Sequence, residues 1–295
     1  MRLLLIFSFC SIVNSVWGQS TIRKQKLPKE LHEISGLEKF NDSILVAIND
    51  GGNPPVIYFL DLQGNILKRT RVSNAVNRDW EDLAIDDKRN LYIADVGNNS
   101  GKNTEFFILK LSIDEAFTSD SVECQTISFT YPAGPIERTP DCEAIFWCNG
   151  SLHLLTKNHM KYFKNVSRRY KKLNLIRQPR QFLLSDSLVT QTVTESPQFF
   201  SPFLLKVKKR GIKDLVTAAD QKDSILVVLT YKKLYTYSWK TILHERRLNT
   251  AWGNVRFLRL TQKEAVVIMG EKNVRVAAER HRLLGGPYLY TIQFK

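Results

Sequence analysis

Five times along this chain a carboxylate precedes a short apolar run, a polar turn and a second apolar run. The clearest copy lies at 77–99. Residues 83–85 are apolar, 86–90 are turn formers and 91–94 are apolar again. Asp79, Glu81 and Asp82 stand before the first run, and Asp95 ends the second. Two β-prone runs separated by such residues predict a hairpin. The open ends of a hairpin lie side by side, so these acids converge on one rim. Further copies start from Glu33, Glu143, Asp220 and Glu264, and 42–46 repeats at 223–227 as Asp-Ser-Ile-Leu-Val. One small β-unit recurring about every 40–50 residues, with insertions, predicts an all-β chain built as a single β-propeller.

The spacing also predicts four-stranded blades. After the first hairpin come apolar runs at 56–62 and 66–72, joined by Gln63, Gly64 and Asn65. The second blade continues through 106–112 and 125–131. Residues 21–23 and 26–27 are expected to close the ring against a C-terminal strand at 287–294. Between 161 and 211 the pattern weakens, with strands expected at 161–165, 182–184 and 203–207. Five or six blades remain open at this point.

With 295 residues, 43% of them hydrophobic, the chain can fill one sizeable core. Met1 and Arg2 lead into an apolar stretch, 3–13, too short to span a bilayer, and Val16 and Gly18 supply the small side chains a signal peptidase reads. The expected organisation is a signal peptide at 1–18 and a propeller domain at 19–295, secreted or periplasmic; an uncleaved N-terminal anchor is the alternative. No later stretch is long and apolar enough to be transmembrane. A net charge of +14 favours anionic partners such as envelope polysaccharide, phosphorylated glycan or lipid headgroups. Export argues against a nucleic-acid partner, the basic stretch 161–180 reads as a solvated outer face, and a monomer is expected. Cys124, Cys142 and Cys148 are an odd set, read as buried thiols, and the five scattered His residues exclude a zinc site.

The ordered set Ser35-Gly36-Leu37, Asn49-Asp50-Gly51-Gly52, Asp79-Trp80-Glu81-Asp82, Asp95-Val96-Gly97-Asn98-Asn99, Asp141-Cys142-Glu143-Ala144, Thr156-Lys157, Thr217-Ala218-Ala219-Asp220, Thr230-Tyr231 and Glu264-Ala265 resembles a largely uncharacterised family of secreted bacterial β-propellers. That family is grouped with phytase-like, esterase-like and NHL-type propellers. The resemblance spans nearly the whole mature chain and implies the fold more strongly than an activity. This chain departs from it at Ala94, where the family usually has Gly, and at Leu229, where it often has Arg.

Propeller ligands sit where the inner strands and their loops meet the channel. Glu33, Asp50, Glu81, Asp95, Glu143, Asp220, Glu264 and Glu279 are the acids expected there, with Lys157 as the lone cation. Converging carboxylates are hard oxygen ligands suited to Ca²⁺ or another divalent cation; no organic cofactor is expected. Acids at repeat positions can instead lock blades by accepting backbone N–H groups of a neighbour. Trp80 reads as packing between blades. Phosphate loops and Gly-x-Ser-x-Gly elbows are absent from the sequence, so chemistry would have to be of the carboxylate and metal kind. Two readings follow. In the first, the protein binds an extracellular or envelope ligand (a glycan, a peptide or a partner protein), with calcium at an acidic channel mouth. In the second, it is a metal-dependent hydrolase of phosphoesters or lactones, phytase-like or gluconolactonase-like. There Glu81 and Glu143 are catalytic, Lys157 stabilises developing negative charge, and Glu33, Asp50, Asp95, Asp220, Glu264 and Glu279 are metal ligands.

Overall fold

Apolar residues run almost unbroken through the strands, and such strands need cover on both faces. The computed structural model describes residues 20–132, 139–157, 181–195, 215–239, 253–257 and 261–294, and shows how that cover is provided. After β1 (Thr21–Lys26) come β2 (Ile34–Lys39), β3 (Ile44–Asn49), β4 (Val56–Asp61) and β5 (Ile66–Val72), the strands of the first blade. Then follow β6 (Trp80–Ile85), β7 (Asn90–Asp95), β8 (Phe106–Ser112), the short helix α1 (Ile113–Thr118), β9 (Ser121–Val122) and β10 (Gln125–Thr130). The third group is β11 (Cys142–Cys148), β12 (Ser151–Thr156), β13 (Gln181–Ser185), β14 (Gln191–Thr192) and β15 (Thr194–Glu195). The fourth is β16 (Val216–Lys222), β17 (Ile225–Thr230), β18 (Lys233–Ser238) and β19 (Gly253–Arg256); the fifth is β20 (Lys263–Gly270), β21 (Asn273–Ala278) and β22 (Tyr288–Gln293).

These strands form five antiparallel sheets, the blades of a propeller. The inner strands β2, β6, β11, β16 and β20 pack in succession, and β20 returns to β2. The ring therefore closes at five blades and leaves no place for a sixth. The last blade is completed by β1, whose residues Thr21–Lys26 pair antiparallel with β22, as expected for the N-terminal stretch. Blades 1 and 2 each gain a fifth, parallel strand from the blade that follows in sequence: β9 adds to β5 and β14 adds to β10.

Five hydrophobic clusters fill the five interfaces between neighbouring blades. Alternation within one strand divides its residues between two of them. In β3, Leu45 and Ala47 face blade 5, whereas Val46 and Ile48 face blade 2. In β17, Val227 and Leu229 face blade 5, and Leu226 and Val228 face blade 3. Each blade thus supplies both walls of a sandwich whose other halves are its neighbours. Trp80 is fully buried between blades 1 and 2, the packing role expected for it. Ala94 and Leu229, where the resemblance would place Gly and Arg, are also core residues. Cys124, Cys142 and Cys148 are free thiols, and Cys124 is only half-buried. The strand expected at 182–184 is β13. The signal peptide 1–18, the strands expected at 161–165 and 203–207 and the basic stretch 161–180 lie outside the described residues.

Because β1 is the clasp of the ring, a chain lacking residues 20–26 leaves β22 as an unpaired edge. Its melting transition is expected to fall by many degrees and its tendency to associate to rise. Calorimetry and size-exclusion chromatography check this, and an unchanged melt would show that the ring closes without the clasp.

Candidate functional site

Each inner strand carries one extra residue near its start, where the register with the next strand shifts. The shifts fall between Ile34 and Gly36, Trp80 and Asp82, Cys142 and Ala144, Val216 and Ala218, and Lys263 and Ala265. Such a β-bulge takes its residue out of the ladder and re-aims the side chain. The five equivalent residues are Ser35, Glu81, Glu143, Thr217 and Glu264, and all are buried. In blades 1 and 4 the position is a short hydroxyl that ties the ring together. Ser35 Oγ donates to Trp80 O at 2.7 Å, and Thr217 Oγ1 donates to Lys263 O at 2.6 Å. In blades 2, 3 and 5 a glutamate replaces the tie.

Two neighbouring positions complete the rim. Backbone bonds join Asp50 N to Glu33 O, Val96 N to Asp79 O, Lys157 N to Asp141 O and Glu279 N to Gln262 O. Those paired residues flank the hairpins of blades 1, 2, 3 and 5 at the same end of the ring as the bulges. As a result, one carboxylate oxygen each of Asp50, Asp79 and Glu81 lie within 4.8 Å of one another, and so do those of Glu81, Asp141 and Glu143. Glu81 is common to both groups. Close approach depends on two glycines: a Cβ on Gly97 would collide with the Asp79 carboxyl and Glu81 Oε1, and one on Gly51 would lie 2.8 Å from Asp79 Oδ1. Asp141 is oriented by the backbone N–H of Asn98, 2.7 Å from its Oδ1. Lys157 Nζ bonds Glu143 Oε1 at 2.7 Å and lies 5.7 Å from the ring centre of Tyr231.

So much negative charge in a dry place raises the acids' affinity for protons. Burial, then the charges of Asp50, Asp141 and Asp95, lift Asp79 to about 7. Glu264 rises to about 7, through burial and then Asp50 acting against Lys157. Burial, with Glu264, Asp50 and Glu33 added, lifts Glu279 to about 9. Glu81 is pushed well up by burial and then by Glu143 and Asp50. For Lys157, burial alone would favour the neutral amine, but Glu143 and Glu264 more than reverse this and hold the proton on.

Of the residues expected from the sequence, Asp50, Glu81 and Glu143 stand in the two carboxylate groups. Lys157 bonds Glu143, and Glu264 and Glu279 lie close enough to both Lys157 and Asp50 to feel their charges. Three of the expected metal ligands, Glu33, Asp95 and Asp220, stand outside those two groups and have other partners. Glu33 is half-exposed, holding Asn53 Nδ2 at 2.7 Å. Asp95 is occupied by Arg78 Nε at 2.8 Å and by the N–H of Asp79 at 2.9 Å. Asp220 lies three residues beyond the bulge residue Thr217, about 10 Å along the strand. There it accepts the N–H of Ile268 in blade 5 at 2.6 Å and faces Glu38 and Asp82. Asp220 is therefore a blade lock, as is Asp82, which accepts from Ile145 N in blade 3 at 3.0 Å. Asp79, expected on the rim from its place before the first run, joins the site, and so do Asp141 and Tyr231, which were not among the candidate site residues; the signal was present in the recurring Asp-x-Glu of 79–81 and 141–143.

Beside Asp79, the loop following β7 borders a cleft of about 500 Å³ lined in part by Arg78, Asp95, Lys102, Asn103 and Phe107. The loop is pinned by Asn103, whose side chain donates to Gly97 O at 3.1 Å and whose backbone N–H donates to Asn98 Oδ1 at 3.0 Å.

The sequence matches no protein-family model, and no curated protein matches it significantly. Its fold is similar to that of the glutaminyl cyclase of Myxococcus xanthus, at 10% identity and a TM-score of 0.50, over 94% of this chain and 96% of that one. It is equally similar to the PQQ-bound aldose sugar dehydrogenase of Streptomyces coelicolor, at 8% identity and a TM-score of 0.50, over 94% and 99% of the two chains. A streptogramin B lyase covers 94% of this chain with 98% of its own, at 9% identity and a TM-score of 0.46. Likeness at this level establishes the propeller fold and nothing about the reaction.

Two expectations follow from the charge arrangement. Acids whose folded values exceed the ordinary carboxylate range bind more protons in the native than in the unfolded state. Stability is therefore lost as pH rises from that range towards about 7 for Asp79 and Glu264 and about 9 for Glu279. In EDTA the melting temperature should fall between pH 5 and 9, and more steeply than that of Glu264→Gln; equal slopes would remove Glu264 from the group. Lys157→Met leaves Glu143 buried without its partner and should cost about 3–5 kcal/mol in urea unfolding at neutral pH.

Proposed function

We propose that this propeller binds a divalent cation, calcium by preference, at the acidic mouth of its channel, and uses that centre to hold an extracellular or envelope ligand. The observation that carries the reading is the exchange of ring-tying hydroxyls for glutamates at three of five equivalent bulges. At this position the other two blades use Ser35 and Thr217 to bond a neighbour's carbonyl, a bond that a carboxylate cannot donate. Glu264 Oε2 supports the same reading, being buried with no hydrogen-bond partner among the described residues. Glu81 is the shared ligand of this assignment, with Asp50 and Asp79 on one side and Asp141 and Glu143 on the other. Carboxylate oxygens without nitrogen or sulfur donors suit a hard cation. Bound there, such an ion would offset the repulsion among the acids and act as a Lewis acid toward a ligand oxygen.

A second reading, metal-dependent hydrolysis of a phosphoester or lactone, is favoured by Asp79. This carboxyl lines the cleft and also belongs to the Asp50–Glu81 group. Placed between the cleft and that group, it can take a proton from a nucleophilic water. Lys157 is then the group to stabilise developing negative charge. Export to the periplasm or beyond, after loss of residues 1–18, fits either reading.

The test is a thermal melt in EDTA and then with Ca²⁺, Mg²⁺ and Mn²⁺ in turn. At a hundredfold excess over Kd, a bound ion should stabilise by about 2.7 kcal/mol, and Glu81→Gln should abolish the gain while keeping the fold. No shift with any of the three ions would return the acids to a structural role. If the hydrolytic reading holds, Asp79→Asn should remove turnover of a model phosphoester or lactone and also reduce the calcium-induced shift, because Asp79 belongs to the ligand group; turnover that persists in the variant would overturn this reading.

A further inference from the structure

The cleft beside Asp79 holds hydrogen-bond donors that the protein does not use. Arg78 is fixed from two sides: its Nε donates to Asp95 Oδ2 at 2.8 Å, and its guanidinium lies 4.0 Å from the ring centre of Phe107. Its two terminal nitrogens make no hydrogen bond among the described residues, although Arg78 lines the cleft and its side chain is half-exposed. Lys102, on the same cleft, has no ion-pair partner among the described residues. Asp79 forms part of the same lining, so the cleft adjoins the Asp50–Asp79–Glu81 group. Its volume, about 500 Å³, suits a molecule of sugar size.

We infer that this cleft is an anion subsite, and that the ligand carries a compact oxyanion, a carboxylate or a phosphate, gripped by Arg78 and covered by Lys102. A guanidinium pre-set by stacking and by a bond through Nε offers its outer N–H groups as a fork matched to such a group. A neutral ligand would leave those donors desolvated and unmatched. The inference rests on the cation-binding reading of the Asp79 group. Ionised Asp79 and the neighbouring Glu105 would repel an anion, whereas a cation on Asp79 would receive one of its oxygens while Arg78 receives another. Metal and anion then bind together, each raising the affinity for the other.

Isothermal titration with glucuronate, glucose 6-phosphate and glucose, in Ca²⁺ and again in EDTA, tests this. In Ca²⁺ an anionic sugar should bind and glucose should not, and whichever of the two anions binds identifies the oxyanion. Lys102→Ala should weaken binding about tenfold and Arg78→Gln more, as expected when a charged hydrogen bond is lost. Lys102 is exposed, so its variant keeps the test valid if Arg78→Gln fails to fold. Glucose binding as tightly as the anions, or equal affinity in both variants, would overturn the subsite. If Ca²⁺ still raises the melting temperature but neither anion binds, this inference falls and the cation reading stands. Anion binding that is indifferent to Ca²⁺ yet lost in the variants would sustain the subsite and remove the cation from it.

Discussion

A blade of this protein cannot be stable alone, because its inner strands are apolar on both faces. Every blade needs two neighbours, and the only arrangement that gives each of them two is a closed ring. The remaining features follow from that closure. The first strand must join the last sheet, five clusters must fill five seams, and the starts of five inner strands must meet around one axis. Convergence of side chains at the channel mouth is thus a by-product of burying hydrophobic surface.

What the ring does with that convergence is decided residue by residue. The bulge position shows two solutions side by side. Ser35 and Thr217 spend their hydroxyls on the neighbour's carbonyl. Glu81, Glu143 and Glu264 give up that tie and stay protonated, paired or in need of a cation. Further along the strands, Asp82 and Asp220 return to tying, each accepting a backbone N–H from the next blade. Acids near the axis therefore divide into a clustered set at the mouth and a locking set further along the strands.

The all-β class, the repeat and the closing strand were legible in the sequence, since they follow from apolar runs and turn residues that local chemistry determines. Blade number was not, because the weak pattern after 161 gives no spacing to count. Only the contact of β20 with β2 settles it. At the site, Glu81, Glu143 and Lys157 were legible from their places in the repeat. Blades 1 and 4 misled: Glu33 and Asp220 are the nearest acids to the expected position, but the residues that occupy it are Ser35 and Thr217. A bulge shifts register by one residue without any mark in composition, so aligning by charge chose the wrong neighbours. How closely Asp79 and Asp141 approach the glutamates was not legible, for a related reason. They precede the strand, and their approach to the glutamates depends on Gly51 in one case and on the Asn98 N–H in the other.

The two parallel additions, β9 on blade 1 and β14 on blade 2, tie three successive blades to one another through their backbones. All members of the two carboxylate groups belong to those three blades: Asp50 to the first, Asp79 and Glu81 to the second, Asp141 and Glu143 to the third. Among the described residues, blades 4 and 5 have no such staple to their neighbours, and they bring Tyr231, Glu264 and Glu279 to the opposite side of the mouth. The β1 clasp and the bond from Arg280 N to His32 O, 2.8 Å, join blade 5 to blade 1. The spacing of the carboxyls around Glu81 is thus fixed by backbone pairing across three consecutive blades, a frame laid down by strands at the outer edges of the blades, far from the mouth it steadies.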